Sequence, residues 1–148
     1  MFYTNNEAEL QDLGQKIGYH LEEGDILILT GDLGSGKTTL TKGIGKALGI
    51  SQMIKSPTYT IVREYTGDTT LYHLDVYRIG DDPDSIDLDE FLFGSGITVI
   101  EWGELLDPHL FNDYLEVIIH KEDQGRRVEL QSHGTRSETI LRKVNAEN

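Results

Sequence analysis

The chain contains no cysteine, so neither disulfides nor thiolate metal sites are available to it, a composition suited to a reducing compartment. Positive charge is scarce: 13 lysines and arginines stand against 26 aspartates and glutamates, a formal net charge of −13. Such a field repels a phosphate backbone and argues against direct, non-specific binding of RNA or DNA. No stretch approaches the ~20 apolar residues of a membrane span. The first residues, MFYTNNEAEL, lack a basic region followed by an apolar one, and the chain reads as cytoplasmic. Repeats and low-complexity segments are absent. At 148 residues a single domain, 1–148, is expected, long enough to bury an ordinary core.

Glycine, by contrast, is plentiful, and three glycines fall within GDLGSGKTT, Gly31 to Thr39. Glycine loses more backbone entropy on folding than any other residue, so a cluster needs a compensating reason. Gly31, Gly36, Lys37 and Thr38 fit G-x-x-x-x-G-K-[ST], in which backbone N–H groups wrap phosphates, the lysine reaches the outer phosphates and the hydroxyl ligates Mg²⁺. A side chain at those glycines would stand where a phosphate must approach. The flanks agree with that reading. DILILT, Asp25 to Thr30, is a short apolar run with the character of a buried strand. KTTLTKGIGKALG places Leu40, Ile44, Ala47 and Leu48 at helical spacing before Gly49 stops the helix. The helix N-terminus adds its dipole and unpaired N–H groups to an anion site. The competing reading is a glycine-rich turn that binds nothing.

Elsewhere, Leu10, Leu13, Ile17 and Leu21 mark one face of a helix between Asn6 and Leu21, with Asn6 and Glu9 placed as a capping pair. Strands are expected from Tyr59 to Tyr65 and from Thr70 to Asp75, joined by the turn-rich TGDT, and again from Ile97 to Glu101. A second hairpin is expected where Leu115, Val117 and Ile119 alternate before KEDQG and Val128 and Leu130 alternate after it. A short helix through Leu88, Phe91 and Leu92 and a terminal helix from Arg136 to Val144 complete the set. Strands separated by a helix imply a parallel core, whereas the hairpins imply antiparallel additions. The expected fold is therefore α/β, a P-loop NTPase-like mixed sheet with helices packed on it.

A phosphate loop is half a site without a carboxylate at a neighbouring strand end to help hold Mg²⁺. TVIE ends in Glu101 and LYHLD ends in Asp75, and either could face the metal. Glu101 is favoured as Mg²⁺ ligand, directly or through water, and Asp75 as the group that orients attacking water or supports a ligand of the metal, with the exchange of the two roles left open. Each carboxylate alone is as well explained as a solvated strand end. His73 alternates with Asp75, and a lone histidine is more often structural. Trp102 reads as core or rim packing that could also cover a nucleotide. Arg78 could offset charge on a transferring phosphoryl group, although an arginine in an acidic chain commonly meets carboxylates. Ser56 to Thr58 could sense a γ-phosphate as switch segments do, or simply form a turn.

GDLGSGKTTLTKG, SPTYTIVREY, LYHLDVYR and ITVIEWGE, in this order and in so short a chain, closely resemble the bacterial TsaE family, also called YjeE or YdiB. The resemblance runs from about Gly24 to Glu104, and the hairpin with its R-x-x-x-L end is compatible with the family's remainder. It implies an ATPase required for threonylcarbamoyl modification of adenosine 37 in tRNAs that read codons beginning with A. It also implies docking on TsaD and TsaB, the catalytic and scaffolding subunits, without transfer of the carbamoyl group by this chain. The family's cofactors, ATP and Mg²⁺, come with it. Its phosphate cradle falls on Gly34, Ser35, Gly36, Lys37, Thr38 and Thr39, its metal contacts on Thr38 and Glu101, and its switch-like segment on Ser56 to Thr58. Asp75 matches the acid of an H-x-D motif, and Trp102 the aromatic beside the metal-binding glutamate. Leu10 departs from the threonine that many relatives carry in the first helix. Two other classes compete. A small-molecule kinase needs an acceptor pocket and a basic lid, yet Arg78 is the only basic residue between Asp75 and Glu101. A non-hydrolysing assembly module would use the same loop for binding alone. A GTP switch is disfavoured because no N-K-x-D segment is present.

Overall fold

Apolar, β-branched runs that can be buried on both faces belong in the middle of a sheet, and the two such runs here, ILILT and ITVIE, lie side by side at its centre. The computed structural model describes residues 1–32, 34–55, 62–75, 96–102 and 111–146. Within them the chain runs β1 (Phe2–Thr4), α1 (Glu7–Gly18), β2 (Ile26–Thr30), α2 (Lys37–Ala47), β3 (Val62–Tyr65), β4 (Leu71–Asp75), β5 (Ile97–Glu101), β6 (Tyr114–Lys121), β7 (Arg126–His133) and α3 (Thr135–Ala146). The sheet order is β1-β7-β6-β2-β5-β4-β3. β4, β5, β2 and β6 are mutually parallel, and β3, β7 and β1 are the antiparallel additions. The expected mixed sheet is what forms.

Both hairpins and the terminal helix stand where the alternation placed them. β1 was not anticipated; three residues carry too little alternation to be recognised, and it is held by pairing with β7 from Phe2↔Val128 to Thr4↔Arg126. The first helix is shorter than Asn6 to Leu21, and its cap is formed as expected, with the Asn6 side chain accepting from the Glu9 N–H at 2.9 Å. The Glu9 carboxylate reaches one residue further back, accepting from the Asn5 N–H at 2.9 Å. The short helix expected through Leu88, Phe91 and Leu92 lies outside the described residues, as do the first residues of the strand expected from Tyr59.

The larger core lies on one face of the sheet, where Leu27, Leu29, Val99 and Val117 meet Leu13, Ile17, Leu40, Ile44, Ile140 and Val144 of the three helices. On the other face Ile26, Ile28, Leu74, Ile100 and Phe111 form a smaller cluster. What fixes α2 is its contact with α1. A Cβ added at Gly43 would overlap the Gln11 carbonyl, and one at Gly14 would overlap the Leu40 carbonyl, so the two helices touch backbone to backbone. Helix propensity alone says that Gly43→Ala should stabilise by about 1 kcal/mol. The overlap is with backbone, which cannot step aside, so the steric cost wins. Gly43→Ala is expected to lose about 2–4 kcal/mol in denaturant unfolding; a stabilised variant would contradict the close crossing.

Candidate functional site

β2 leads into the glycine loop, and the loop into α2, at the carboxyl ends of the parallel strands. β5 packs on one side of β2 and β6 on the other, so the loop sits where strand order reverses, the place in open α/β sheets where ligands bind. Gly31 and Gly36 of the loop also serve the protein's own packing. Gly36 caps α2 with φ 113°, and a Cβ there would stand 2.5 Å from Leu10 Cδ2. Leu10 is thus a core residue beneath the loop. A Cβ at Gly31 would stand 2.8 Å from the Ile119 carbonyl oxygen and 2.6 Å from Ser35 Oγ. Ser35 is wholly buried, and its Oγ lies beside Gly31 with no hydrogen-bond partner among the described residues.

The N-termini of α1 and α2 contrast. That of α1 is capped by Asn6 and followed by Glu7 and Glu9. That of α2 has no side-chain cap and no acidic residue in its first turn. N–H groups left uncapped at the positive end of a helix attract an anion, and nothing on α2 itself competes for the place. Lys37 opens the helix and is 5% exposed. Its Nζ donates to the Gly31 carbonyl at 2.9 Å and stands 3.8 Å from the centroid of the Trp102 ring, a cation–π contact. Trp102 has φ 65°, a left-handed backbone that a large side chain rarely adopts. That turn directly after β5 brings the indole over the lysine. Thr38 and Thr39 follow on the first turn, both half-buried.

β4 and β5 are parallel neighbours with Asp75 opposite Glu101, so both acids end their strands side by side, and Leu29 of β2 is opposite Glu101 on the other flank. Glu101 lies on the same sheet face as α2 and is 5% exposed. Its Oε2 is 2.5 Å from Nε2 of His73, which is wholly buried. His73, set aside as structural by its sequence alone, therefore holds the carboxylate in place; only its second-residue spacing from Asp75 hinted at this. The structure thus brings together Gly34, Ser35, Gly36, Lys37, Thr38 and Thr39 in one loop and helix turn, with Trp102 against Lys37, and sets Asp75 beside Glu101. Ser56, Thr58 and Arg78 lie outside the described residues.

A hydroxyl on the first helical turn and a carboxylate on the adjacent strand end are hard oxygen donors of the kind Mg²⁺ selects, and the uncapped helix start with its lysine suits the phosphates such an ion accompanies. The residues present fit both groups.

A central parallel sheet with this loop between β2 and α2 defines a protein of the P-loop NTPase-like class. A family model described as threonylcarbamoyl adenosine biosynthesis protein TsaE matches residues 4–128. The tRNA threonylcarbamoyladenosine biosynthesis protein TsaE of Bacillus subtilis is 37% identical over 143 residues, covering 95% of this chain and 90% of that protein. Its namesake from a Nostoc species is 41% identical over 135 residues, covering 86% and 81%. The crystal structure of YdiB from Bacillus subtilis superposes with a TM-score of 0.86 at 33% identity, covering 99% of this chain and 93% of that one. The chain belongs to the TsaE family.

Proposed function

We propose that this protein is a Mg²⁺-dependent ATPase that serves the biosynthesis of threonylcarbamoyladenosine in tRNA, and that it acts by docking on TsaD and TsaB. The observation that carries the reading is the uncapped start of α2, with Lys37 at its first position, set beside the Glu101 strand end. Family membership supplies the pathway. The net charge of −13 supports action through protein partners rather than a direct grip on tRNA.

In this reading the N–H groups of the loop and Lys37 bind and orient the phosphates, and Thr38 and Glu101 hold the metal. Bound Mg²⁺ would neutralise charge developing on the phosphoryl oxygens. Glu101 is kept in one orientation by His73, and Asp75 beside it orients the attacking water. ATP-bound protein favours docking on TsaD and TsaB through contact of the Ser56–Thr58 segment with the γ-phosphate, and hydrolysis reverses it.

Hydrolysis by the isolated protein should be slow. Four of the five arginines among the described residues are already bonded, Arg126 to the loop's outer carbonyls, Arg127 to Glu122, Arg136 to Asp25 and the His20 carbonyl, and Arg142 to Glu138, while Arg63 lies on β3, three strands from β2. A free arginine finger can be worth roughly 10³ to 10⁵ in rate. Phosphate release from purified protein, followed with and without Mg²⁺, tests this. Slow, metal-dependent release is expected. Fast release would refute the missing-finger argument, and none at all, with ATP bound, would favour the non-hydrolysing module.

A further inference from the structure

The outer side of the glycine loop is gripped by a residue far away in the chain. Arg126 Nε donates to the Ser35 carbonyl at 2.7 Å, and its Nη2 to the Gly34 carbonyl at 3.3 Å. Its Nη1 donates to the Gly125 carbonyl at 2.7 Å, which fixes the plane of the guanidinium. The backbone beneath it is held from both sides, since Arg126 is in register with Lys121 of β6 and with Thr4 of β1. Gly125, at φ 84°, makes room: a Cβ there would overlap the Thr4 carbonyl. The turn of the β6–β7 hairpin and the short strand β1 together present the Arg126 guanidinium to the loop, with the Lys121 ammonium close to Gly34.

We infer that Arg126 is a positioning residue for the phosphate cradle, acting through the loop's peptide planes. In a trans peptide the C=O and the N–H point in opposite directions. Holding the Ser35 carbonyl toward the hairpin therefore turns the Gly36 N–H away from it, while the Ser35 N–H is already committed to the Asp32 carbonyl at 3.0 Å. A charge-assisted bond also polarises the peptide, making the opposite N–H a stronger donor to an anion. Without the guanidinium, the Gly34–Ser35 peptide is still held by its bond to the Asp32 carbonyl, but the Ser35–Gly36 peptide, with glycine on its far side, loses its anchor, and ordering it would have to be supplied by the ligand.

This inference rests on the loop binding nucleotide phosphates as proposed above, and titration calorimetry separates the two. The measurements are the affinities of wild type, Arg126→Gln, Arg126→Lys and Arg127→Gln for Mg·ADP and for AMP. Arg127 is the neighbouring residue, turned to the other face and paired with Glu122 at 3.2 Å, and controls for loss of one charge. Arg126→Gln should weaken ADP roughly tenfold or more and AMP much less, so the ratio of the two affinities falls. General damage to the fold would lower both alike. Arg126→Lys, which retains the charge and one donor, should recover part of the loss and decides the matter if the glutamine variant does not fold. Arg127→Gln should match wild type. Wild type binding ADP with Arg126→Gln equally tight, or with both ligands weakened in proportion, overturns this inference alone. Wild type binding no nucleotide brings down the proposed function and this inference with it.

Discussion

Replacing Lys37 by alanine should leave a folded protein whose affinity for Mg·ATP has dropped by on the order of a hundredfold. The ammonium is a concentrated charge, 5% exposed, at the positive end of a helix with no acid in its first turn. Removing it takes away a charge-assisted contact to phosphate. The fold loses only the bond to the Gly31 carbonyl and the contact with Trp102, about 1–2 kcal/mol against a total on the order of 5–15 kcal/mol. Equilibrium binding measured on a variant with wild-type circular dichroism checks this. Unchanged ATP affinity would rule out the loop as the site.

The second large effect is expected at the metal. Thr38→Ala and Glu101→Gln should lower Mg²⁺-dependent hydrolysis by roughly a hundredfold or more, because a metal ion supplies several kcal/mol of charge stabilisation in the transition state. Binding of nucleotide without metal should change only a few-fold, since Lys37 and the loop N–H groups are intact. Glutamine is the informative replacement at 101. Alanine there would leave buried His73 without the partner of its Nε2 and add an unfolding cost of about 1–3 kcal/mol to the catalytic one. Normal hydrolysis by both variants would show that the metal is held elsewhere.

The central strands, the loop and the helix after it were legible because each carries its own local pattern: apolar runs for β2 and β5, glycines at fixed offsets, then 3.6-residue spacing. The pairing of Asp75 with Glu101 could be anticipated from two acids at the ends of two strands, although only the register made them neighbours. The glycines at 31 and 36 were legible as a motif while their reason was incomplete. Packing against the Ile119 carbonyl and Leu10, which requires tertiary structure, already excludes a side chain. Three features had little or no local signature. β1 is too short to alternate. His73 becomes functional only by reaching Glu101, 28 residues on and one strand away. Arg126 meets Ser35 across 91 residues, through a hairpin whose pattern says where it turns and nothing of what the turn touches.

The central claim, that this site serves threonylcarbamoyladenosine formation by turning over ATP, is tested most directly by the content of that nucleoside in tRNA. The cells should be depleted of this protein, hold no second copy, and be complemented in turn with wild type, Asp75→Ala and Glu101→Gln. Depletion should abolish the modified nucleoside, wild type should restore it, and neither variant should, although both accumulate as folded protein. Normal levels of the nucleoside after depletion would contradict the assignment and return the small-molecule kinase to first place.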